Sequence, residues 1–392
     1  MVHARPEGCR LTALELRVVP RIKDIPRAAW DALLREGSSP FVEHTWLDCL
    51  EEAGCVGETS GWIPHHLALY EGDELVAAAP AYAKLNSEGE FVFDWSWADV
   101  ASRMGINYYP KLVLAVPFTP AGGDRVLVHP KRARRETIAI FAQALRRVVE
   151  ELELSSAHVL FPSEEEARAW GEAGYALRHG VQYHWSNREP PFTSYEDFLA
   201  TLPQKKRTQI RRERKQPVMD GVEIVTLRPE ECTRAMAHTM YALYTVTVDK
   251  YFHGRRYMKK RFFELLTERF ADRLAWVVAR KDGEVIASAF NVKKEGIIYG
   301  RYWGAHVDMP FLHFNVCYYH GVDQAIRERC TLFNPGAGGE HKKVRGFAPT
   351  VTYSAHHIQD GRLRDMLVSF LERERRSVDA YVAEERAALA RT

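Results

Sequence analysis

The sequence lacks the features that mark membrane, secreted and metal-binding proteins. No run approaches the roughly 18 consecutive apolar residues of a membrane helix, and residues 1–30 contain no apolar signal-peptide core. The six cysteines among 392 residues are scattered without a Cys-x-x-Cys pair, so neither a zinc cage nor a disulfide framework is indicated. We therefore expect a cytoplasmic protein with no membrane span.

Motifs of three common enzyme classes are also missing. Gly-x-Ser-x-Gly, Gly-Lys-Ser/Thr and His-Glu-x-x-His are absent, which leaves hydrolase, P-loop and zincin functions without support. The pairs His65-His66 and His356-His357 consist of strand neighbours that point to opposite faces, so neither pair forms a metal site alone. No metal and no bound cofactor are predicted. The formal net charge is only +2, so a polyanion would need a local basic patch.

Such a patch lies between the two halves of the chain, at residues 203–216. Seven cations against one acid would surround a helix on which only Ile210 is apolar, so this helix is not an ordinary core helix. Dense arginine and lysine suit phosphate groups, and a solvated linker helix is the alternative. No aromatic residues interleave with the run, so base reading is not expected there. The cations are Lys205, Lys206, Arg207, Arg211, Arg212, Arg214 and Lys215.

Two segments about 210 residues apart share one pattern, which indicates a divergent internal duplication. Residues 66–80 and 274–290 each read as strand, tight turn and strand, with Gly72-Asp73 or Asp282-Gly283 at the turn. A strand, a helix, a strand and a Gly-aromatic pair that opens a last strand follow in both halves. This is the element order of the GNAT acyltransferase fold. The predicted fold class is α/β with mixed sheets, as two tandem GNAT-like domains.

The predicted domains are residues 1–190, residues 191–375 with the basic segment near their start, and a charged helical tail at 376–392 that we expect to pack loosely. The predicted bounds in the first half are strands at 111–118 and 157–161, a helix over 131–152 and a last strand to Trp185. Those in the second half are strands at 296–303, 331–334 and 347–358 and a helix over 313–329.

A glycine-rich stretch at 334–347 combines an acid, an imidazole and cations. Glycine lets the backbone approach a ligand, while Glu, His and Lys move protons or hold negative charge. In a GNAT sheet the fourth and fifth strands splay apart, which would place this stretch opposite Tyr302. The predicted catalytic residues are Tyr302, Glu340, His341 and Lys342, with Glu340 or His341 as the proton acceptor. A glycine-rich turn before a solvated basic strand is the alternative.

Other residues of the two clefts are predicted to contact substrate. In the second half these are Arg301, Trp303, His313, Tyr319 and Arg345, and in the first half Tyr109 and Lys111. Tyr318 and Tyr319 are expected mainly to pack, with one of them pointing into the cleft, and Lys343 is expected to face solvent. The loop at 119–125 lies where a GNAT domain binds the pyrophosphate of coenzyme A, but the usual Arg/Gln-x-x-Gly-x-Gly/Ala sequence is not reproduced.

Several motifs together resemble the Fem-like N-acyltransferases known as peptidoglycan biosynthesis/recognition proteins. They are Gly89-Glu90-Phe91-Val92-Phe93-Asp94, Tyr108-Tyr109-Pro110-Lys111-Leu112, Val116-Pro117-Phe118-Thr119-Pro120, Ile210-Arg211-Arg212-Glu213-Arg214, Gly300-Arg301-Tyr302-Trp303-Gly304, Leu312-His313-Phe314, Cys317-Tyr318-Tyr319, Gly339-Glu340-His341-Lys342 and Arg345-Gly346-Phe347. The resemblance implies acyl or aminoacyl transfer to an amine. In the broader Fem-like group the donor is an aminoacyl-tRNA, which would give the basic segment a partner.

The leading hypothesis is an aminoacyltransferase that uses charged tRNA and an amine acceptor, either a small molecule or a peptide precursor. The alternatives are a coenzyme A-dependent N-acyltransferase and a non-catalytic protein that binds tRNA or a cell-wall precursor. The sequence departs from the family pattern at Asn86, Asn315, Gly338 and His320, where that pattern has His, Glu, Gln and Gln. These departures indicate a specialised member with its own acceptor.

Overall fold

The computed structural model describes residues 14–250 and 255–390, and within them the chain forms one 11-stranded and one 4-stranded sheet. The strands are β1 Leu14–Val19, β2 Trp62–Pro64, β3 His66–Glu71, β4 Glu74–Ala79, β5 Ala81–Lys84, β6 Lys111–Leu114, β7 Leu127–Val128, β8 Ser156–Leu160, β9 Ala176–Ser186, β10 Glu223–Thr226, β11 Val277–Lys281, β12 Glu284–Lys294, β13 Ile297–Ala305, β14 Leu332–Asn334 and β15 Ala348–Ile358.

Helices and strands are interspersed along the chain, as expected for an α/β fold. The helices are α1 Arg27–Asp31, α2 His44–Glu52, α3 Trp95–Arg103, α4 Arg134–Glu151, α5 Glu164–Glu172, α6 Tyr195–Ala200, α7 Gln204–Met219, α8 Arg234–Asp249, α9 Lys260–Arg269, α10 Leu312–Phe314, α11 His320–Arg327 and α12 Gly361–Ala390. A π-helical turn at Asn315–Tyr319 joins α10 to α11. No helix among the described residues is long and apolar enough to cross a membrane.

The internal duplication predicted from the sequence is present. The hairpins β3–β4 and β11–β12 turn at Gly72 and at Asp282-Gly283, all three with positive φ. In each half a strand that follows the hairpin pairs in parallel with a later one, β6 with β8 and β13 with β14, across an intervening helix. Two tandem GNAT-like units with mixed sheets therefore describe the fold.

Two predicted elements extend more than one residue past their observed C-terminal ends. The strand that begins at Lys111 ends at Leu114, because the chain continues through Pro117 to Phe118, which has φ +57°. The helix predicted to reach residue 329 ends at Arg327, and Arg329 has φ +53°. A side chain at positive φ is incompatible with continuing a right-handed helix or a strand.

The two halves exchange their last strands. In the larger sheet β9 of the first half lies between β14 and β15, and β15 of the second half lies between β9 and β8. Each half therefore completes its sheet with a strand of the other. The division of the chain near residue 190 stays a prediction, and the exchange makes the halves structurally interdependent.

The hydrophobic core also crosses from one half to the other. Trp46 on α2 contacts Phe262 on α9 with ring centroids 5.1 Å apart and Phe290 on β12 at 6.4 Å. All three rings are at most 2% exposed. Burial of such large aromatic groups stabilises the arrangement of the two halves that positions the cavity described below.

The expectation of a loosely packed C-terminal tail is wrong for the residues that the structure describes. The helix α12 lies along β9 and β15. Arg178 pairs with Glu374 at 2.8 Å, the hydroxyl groups of Tyr183 and Tyr381 are 2.8 Å apart, and Val382 is buried. The charged residues of this segment therefore belong to a docked helix, and some of them pair with residues of the sheet.

Candidate active site

The strands β13 and β14 separate as the GNAT comparison predicts. They pair from Ile297↔Leu332 to Tyr299↔Asn334, after which β14 ends while β13 continues to Ala305. A cavity of about 840 Å³ opens in this gap. Its volume lies in the range of small-molecule sites.

The cavity wall is aromatic and cationic. Tyr244, Tyr257, Trp303 and Tyr318 supply much of the apolar surface, and no aspartate or glutamate is among the described lining residues. The lining cations are Arg255, Arg301 and Lys342. Arg255 at the wall is neutralised by Glu88 at 2.6 Å. The remaining positive charge favours a ligand, or a transition state, that carries negative charge.

Lys342 reaches the cavity from a short 3₁₀ turn, Glu340–Arg345, whose flanking Gly339 and Gly346 have φ +87° and +85°. These left-handed positions suit glycine. The lysine is 2% exposed, and its Nζ donates to the carbonyl oxygens of Gly336 at 2.7 Å and Ala337 at 3.3 Å. No described carboxylate lies within ion-pair distance. Burial lowers the pKa of Lys342 to about 8. At pH 7 the side chain is therefore still an ammonium group, although it has no described counter-ion.

Two imidazoles lie beside this lysine. His313 lines the cavity with its ring 4.7 Å from that of Trp303 and 5.2 Å from that of Tyr318, and burial lowers its pKa to about 4. His341 is exposed, and its Nε2 lies 2.9 Å from the Tyr318 hydroxyl. Partial desolvation of the ring, and then the charges of Arg345 and Lys342, lower the pKa of His341. Both imidazoles are neutral at pH 7, so each can accept a proton.

Tyr302 and Arg301 connect the cavity to the first half. The Tyr302 hydroxyl donates to the Phe118 carbonyl at 3.2 Å, and Arg301 Nη2 donates to the same oxygen. Burial raises the pKa of Tyr302 to about 12, so the side chain is a neutral phenol. It can orient a ligand or donate a proton, but it is not a base at neutral pH.

Tyr319 and Arg345, predicted to contact substrate, lie outside the cavity wall. The Tyr319 hydroxyl and Arg345 Nη2 both donate to Glu213 of α7, the latter at 2.9 Å. Arg345 Nη1 donates to the His341 carbonyl at 2.8 Å. These residues hold the turn that carries Lys342, whereas Tyr318 is the tyrosine that points into the cleft.

Glu340 and Lys343 also lie outside the cavity wall. Glu340 is exposed at the start of the turn. Lys343, expected to face solvent, pairs with Glu385 of α12 and is half-buried. Of the four predicted catalytic residues, the cavity wall therefore contains Tyr302 and Lys342, while His341 reaches it through Tyr318.

Tyr109 and Lys111 belong to a separate buried cluster in the first half. Lys111 Nζ donates to Glu90 at 2.9 Å and to Asp94, and it has no exposed surface. The Tyr109 hydroxyl lies 2.6 Å from that of Ser87. Because their polar atoms are engaged there and neither residue lines the cavity, the structure does not bring them to the second-half cleft.

The basic segment forms α7, which has one buried and one exposed face. Ile210, Glu213 and Pro217 are buried, so the helix is docked on the fold. The cations divide by exposure: Lys205, Arg211, Arg212 and Lys215 are exposed, while Lys206, Arg207 and Arg214 are half-buried. Arg211 pairs with Glu196 at 2.6 Å, and Arg214 lies 3.5 Å from the Tyr195 ring.

Sequence reasoning missed three kinds of lining residue: Asn291, Arg255 and the tyrosines 244 and 257. The only available signal was Asn291, a lone amide within the apolar run of β12. The tyrosines lie on α8 and beyond it, and their aromatic character reads as packing. Within the described residues, no group of three or more His, Cys, Asp or Glu could hold a metal ion.

Comparison with known protein families assigns the chain to one of them. The family model of FemAB-like proteins, described as peptidoglycan biosynthesis/recognition, matches residues 21–390. The chain belongs to the FemAB-like family. No protein with a curated description matches it in sequence.

Three solved structures share the fold of this FemAB-like protein at low identity. L-PGS from Bacillus licheniformis matches with TM-score 0.51 and 11% identity over 83% of this chain and 95% of its own. The C-terminal domain of a putative lysylphosphatidylglycerol synthetase from Agrobacterium fabrum has TM-score 0.51, 12% identity and coverage of 88% and 95%. FemX has TM-score 0.51, 10% identity and coverage of 88% and 98%. Family and fold together make this protein an acyltransferase.

The four residues that depart from the FemAB-like pattern lie in different parts of the structure, and one of them lines the cavity. Gly338 lines the cavity, and a Cβ built there meets no atom within 4 Å. Asn315 Nδ2 donates to the Glu213 carbonyl at 2.8 Å, His320 bonds Thr226 at 2.8 Å, and Asn86 accepts from Lys84 at 3.1 Å. Gly338 is therefore the departure that leaves space in the cavity itself.

Proposed function

We propose that this FemAB-like protein transfers an aminoacyl group from charged tRNA to an amine, with the reaction in the cavity between β13 and β14. The observation that carries the proposal is Lys342, a buried ammonium group without a described carboxylate partner, in a wall whose described residues include no acid. An uncompensated buried charge is costly unless a ligand or transition state supplies the opposite charge.

The step begins with the amine nitrogen attacking the carbonyl carbon of the aminoacyl ester. The C–N bond forms, and the carbonyl oxygen becomes an oxyanion that the Lys342 ammonium stabilises. The amine proton passes to the Tyr318 oxygen as the Tyr318 hydroxyl proton moves to His341 Nε2, 2.9 Å away. The C–O bond to the ribose then breaks, and the ribose oxygen takes the proton back through Tyr318.

The first-half loop supports a donor other than coenzyme A. Its backbone N–H groups at Arg125 and Val126 donate to the carboxylate of Glu166, at 2.7 and 3.1 Å. In an anion-binding GNAT loop such groups would face a pyrophosphate. Here an internal carboxylate occupies them, and Glu166 has no exposed surface.

The exposed face of α7 supports a polyanionic donor. Lys205, Arg211, Arg212 and Lys215 share this face, while Glu213 on the opposite face bonds the residues that hold the Lys342 turn. Several cations on one helix bind a phosphate backbone by releasing counterions. The acceptor in this proposal is a small molecule or a peptide precursor with a free amine.

Replacing Arg212 and Lys215 with alanine is expected to weaken tRNA binding on the order of tenfold at low salt, and to make the plot of log K against log[salt] shallower by about two. Both side chains are exposed, so the fold should persist. Fluorescence anisotropy with labelled tRNA measures both quantities. Arg228→Ala, exposed elsewhere, is the control. Unchanged affinity and salt dependence in the double variant would remove α7 from tRNA binding.

The rate should fall as the pH rises above about 8. Burial lowers the pKa of Lys342 to about 8, so the stabilising ammonium is present below that pH and lost above it. For an acceptor whose amine pKa lies below about 8, so that the amine is already neutral, the fall should approach tenfold per pH unit, measured as the single-turnover rate from pH 6.5 to 10. In Lys342→Arg the guanidinium stays charged, so the alkaline fall should disappear. An identical fall in both proteins would assign it to another group.

A further inference from the structure

The wall of the cavity contains an irregularity in the sheet. Asn291 of β12 pairs with Gly300 of β13, and the preceding Phe290 pairs with Tyr302, so Arg301 is an extra residue in β13. Such a bulge changes the direction of side chains and is common beside active sites. Both Asn291 and Arg301 line the cavity.

Asn291 presents an unsatisfied amide. The residue is 2% exposed, and its Nδ2 is buried without a hydrogen-bond partner among the described residues. Buried side-chain donors are paired in most native structures, so an unpaired one in a cavity wall indicates a missing acceptor. The residues on either side of it in β12, Phe290 and Val292, are apolar, so it is the one amide in this part of the strand.

Arg301 lies beside Asn291 in the sheet and carries a positive charge without a described counter-ion. Its Nη2 donates to the Phe118 carbonyl, but its Nε is buried without a partner in the described part of the chain. No described carboxylate forms an ion pair with it, and the ring centroids of Phe41 and Tyr302 lie 5.4 Å from its guanidinium carbon. A planar guanidinium with free donors suits a planar carboxylate.

We propose that Asn291 and Arg301 form a subsite for a carboxylate group of the substrate. This inference rests on the proposed aminoacyl transfer and specifies a substrate class. One uncompensated guanidinium and one neutral amide match the single charge and two oxygens of a carboxylate better than the higher charge of a phosphate. The carboxylate belongs either to an amino-acid or peptide acceptor or to an acidic transferred aminoacyl group.

Acetate tests the subsite without tRNA or turnover. Sodium acetate should raise the unfolding temperature of the parent protein saturably, by about 2 °C near tenfold the Kd, relative to sodium chloride and to acetamide. Asn291→Leu and Arg301→Met should lose this shift, while Arg228→Met should keep it. If either cavity variant fails to fold, Asn291→Asp, which keeps the size and repels the anion, takes its place.

Three results would overturn the subsite. They are no acetate shift in the parent protein, an equal shift in the parent and the Asn291 variants, and a larger shift with inorganic phosphate that Asn291→Leu removes. The last result would assign the two side chains to a phosphate group. None of these measurements uses tRNA. A negative result would therefore reject the subsite without deciding which donor the protein uses.

Turnover identifies which molecule carries the carboxylate. L-Alanine is compared with L-alaninamide as acceptor, and tRNA charged with aspartate is compared with tRNA charged with asparagine. A preference for the carboxylate of at least tenfold in kcat/KM, lost in Asn291→Leu, should occur in one of the two pairs. Its presence in the first pair assigns the subsite to the acceptor, and in the second pair to the acyl group. A preference that Asn291→Leu retains contradicts the proposal.

Discussion

Replacing Lys342 with methionine is expected to lower the single-turnover rate of aminoacyl transfer by about 100- to 1,000-fold, the usual cost of losing an oxyanion donor. Methionine has a similar length and keeps the aliphatic contacts, and it removes a buried charge that has no described carboxylate partner. The fold should therefore persist, which circular dichroism checks. The rate is measured by transfer of a radiolabelled amino acid from charged tRNA to an amine.

The adjacent Lys343 provides the matched control. It lies in the same 3₁₀ turn, but its Nζ pairs with Glu385 on α12 instead of lining the cavity. Lys343→Met should keep the rate within about twofold, since its ammonium does not line the cavity and cannot stabilise charge that develops there. Equal losses in the two variants would show that the turn, and not the Lys342 ammonium, is what the reaction requires. An unchanged rate in Lys342→Met would remove the proposed site.

Replacing Glu213 with alanine is expected to lower the free energy of unfolding by about 3–5 kcal/mol, because it leaves a buried guanidinium unpaired. Glu213 and Arg345 have side chains that are 2% and 5% exposed, with 2.9 Å between them, and the Tyr319 hydroxyl donates to the same carboxylate. The shift in the denaturation midpoint, multiplied by the slope m, measures the change.

The exposed Glu196 is the control for this second prediction. It pairs with Arg211 of the same helix α7 at 2.6 Å, but both side chains are more than half exposed. Glu196→Ala should therefore cost at most about 1 kcal/mol. Equal midpoints for the Glu213 and Glu196 variants would show that the buried cluster does not stabilise the turn that carries Lys342.

The sequence was sufficient to predict the repeated element order, because each element depends on local signals. Gly72 and Asp282-Gly283 mark the two hairpins, and the order of strands and helices follows from the periodicity between them. The exchange of β9 and β15 was not predictable in this way. Partners such as Ser354 and Leu160 are far apart in sequence, and nothing local distinguishes pairing within one half from pairing across both.

The site was predictable in position but not in detail. The GNAT comparison located Lys342 opposite Tyr302, and both line the cavity. It could not choose between Tyr318 and Tyr319, because the π-helical turn at Asn315–Tyr319 changes which side chain faces the cleft. Glu213 also reads as the single acid in a cationic run, and only tertiary contact shows it to be buried against Arg345.

The choice of donor decides whether this protein is a tRNA-dependent aminoacyltransferase. The parent protein is incubated with an amine and with either individually charged tRNAs or acyl-CoA, each labelled in the acyl group. We expect label to pass to the amine from at least one charged tRNA and not from acyl-CoA. Transfer from acyl-CoA without tRNA would contradict this expectation, as would the absence of transfer from every charged tRNA to a broad panel of amines.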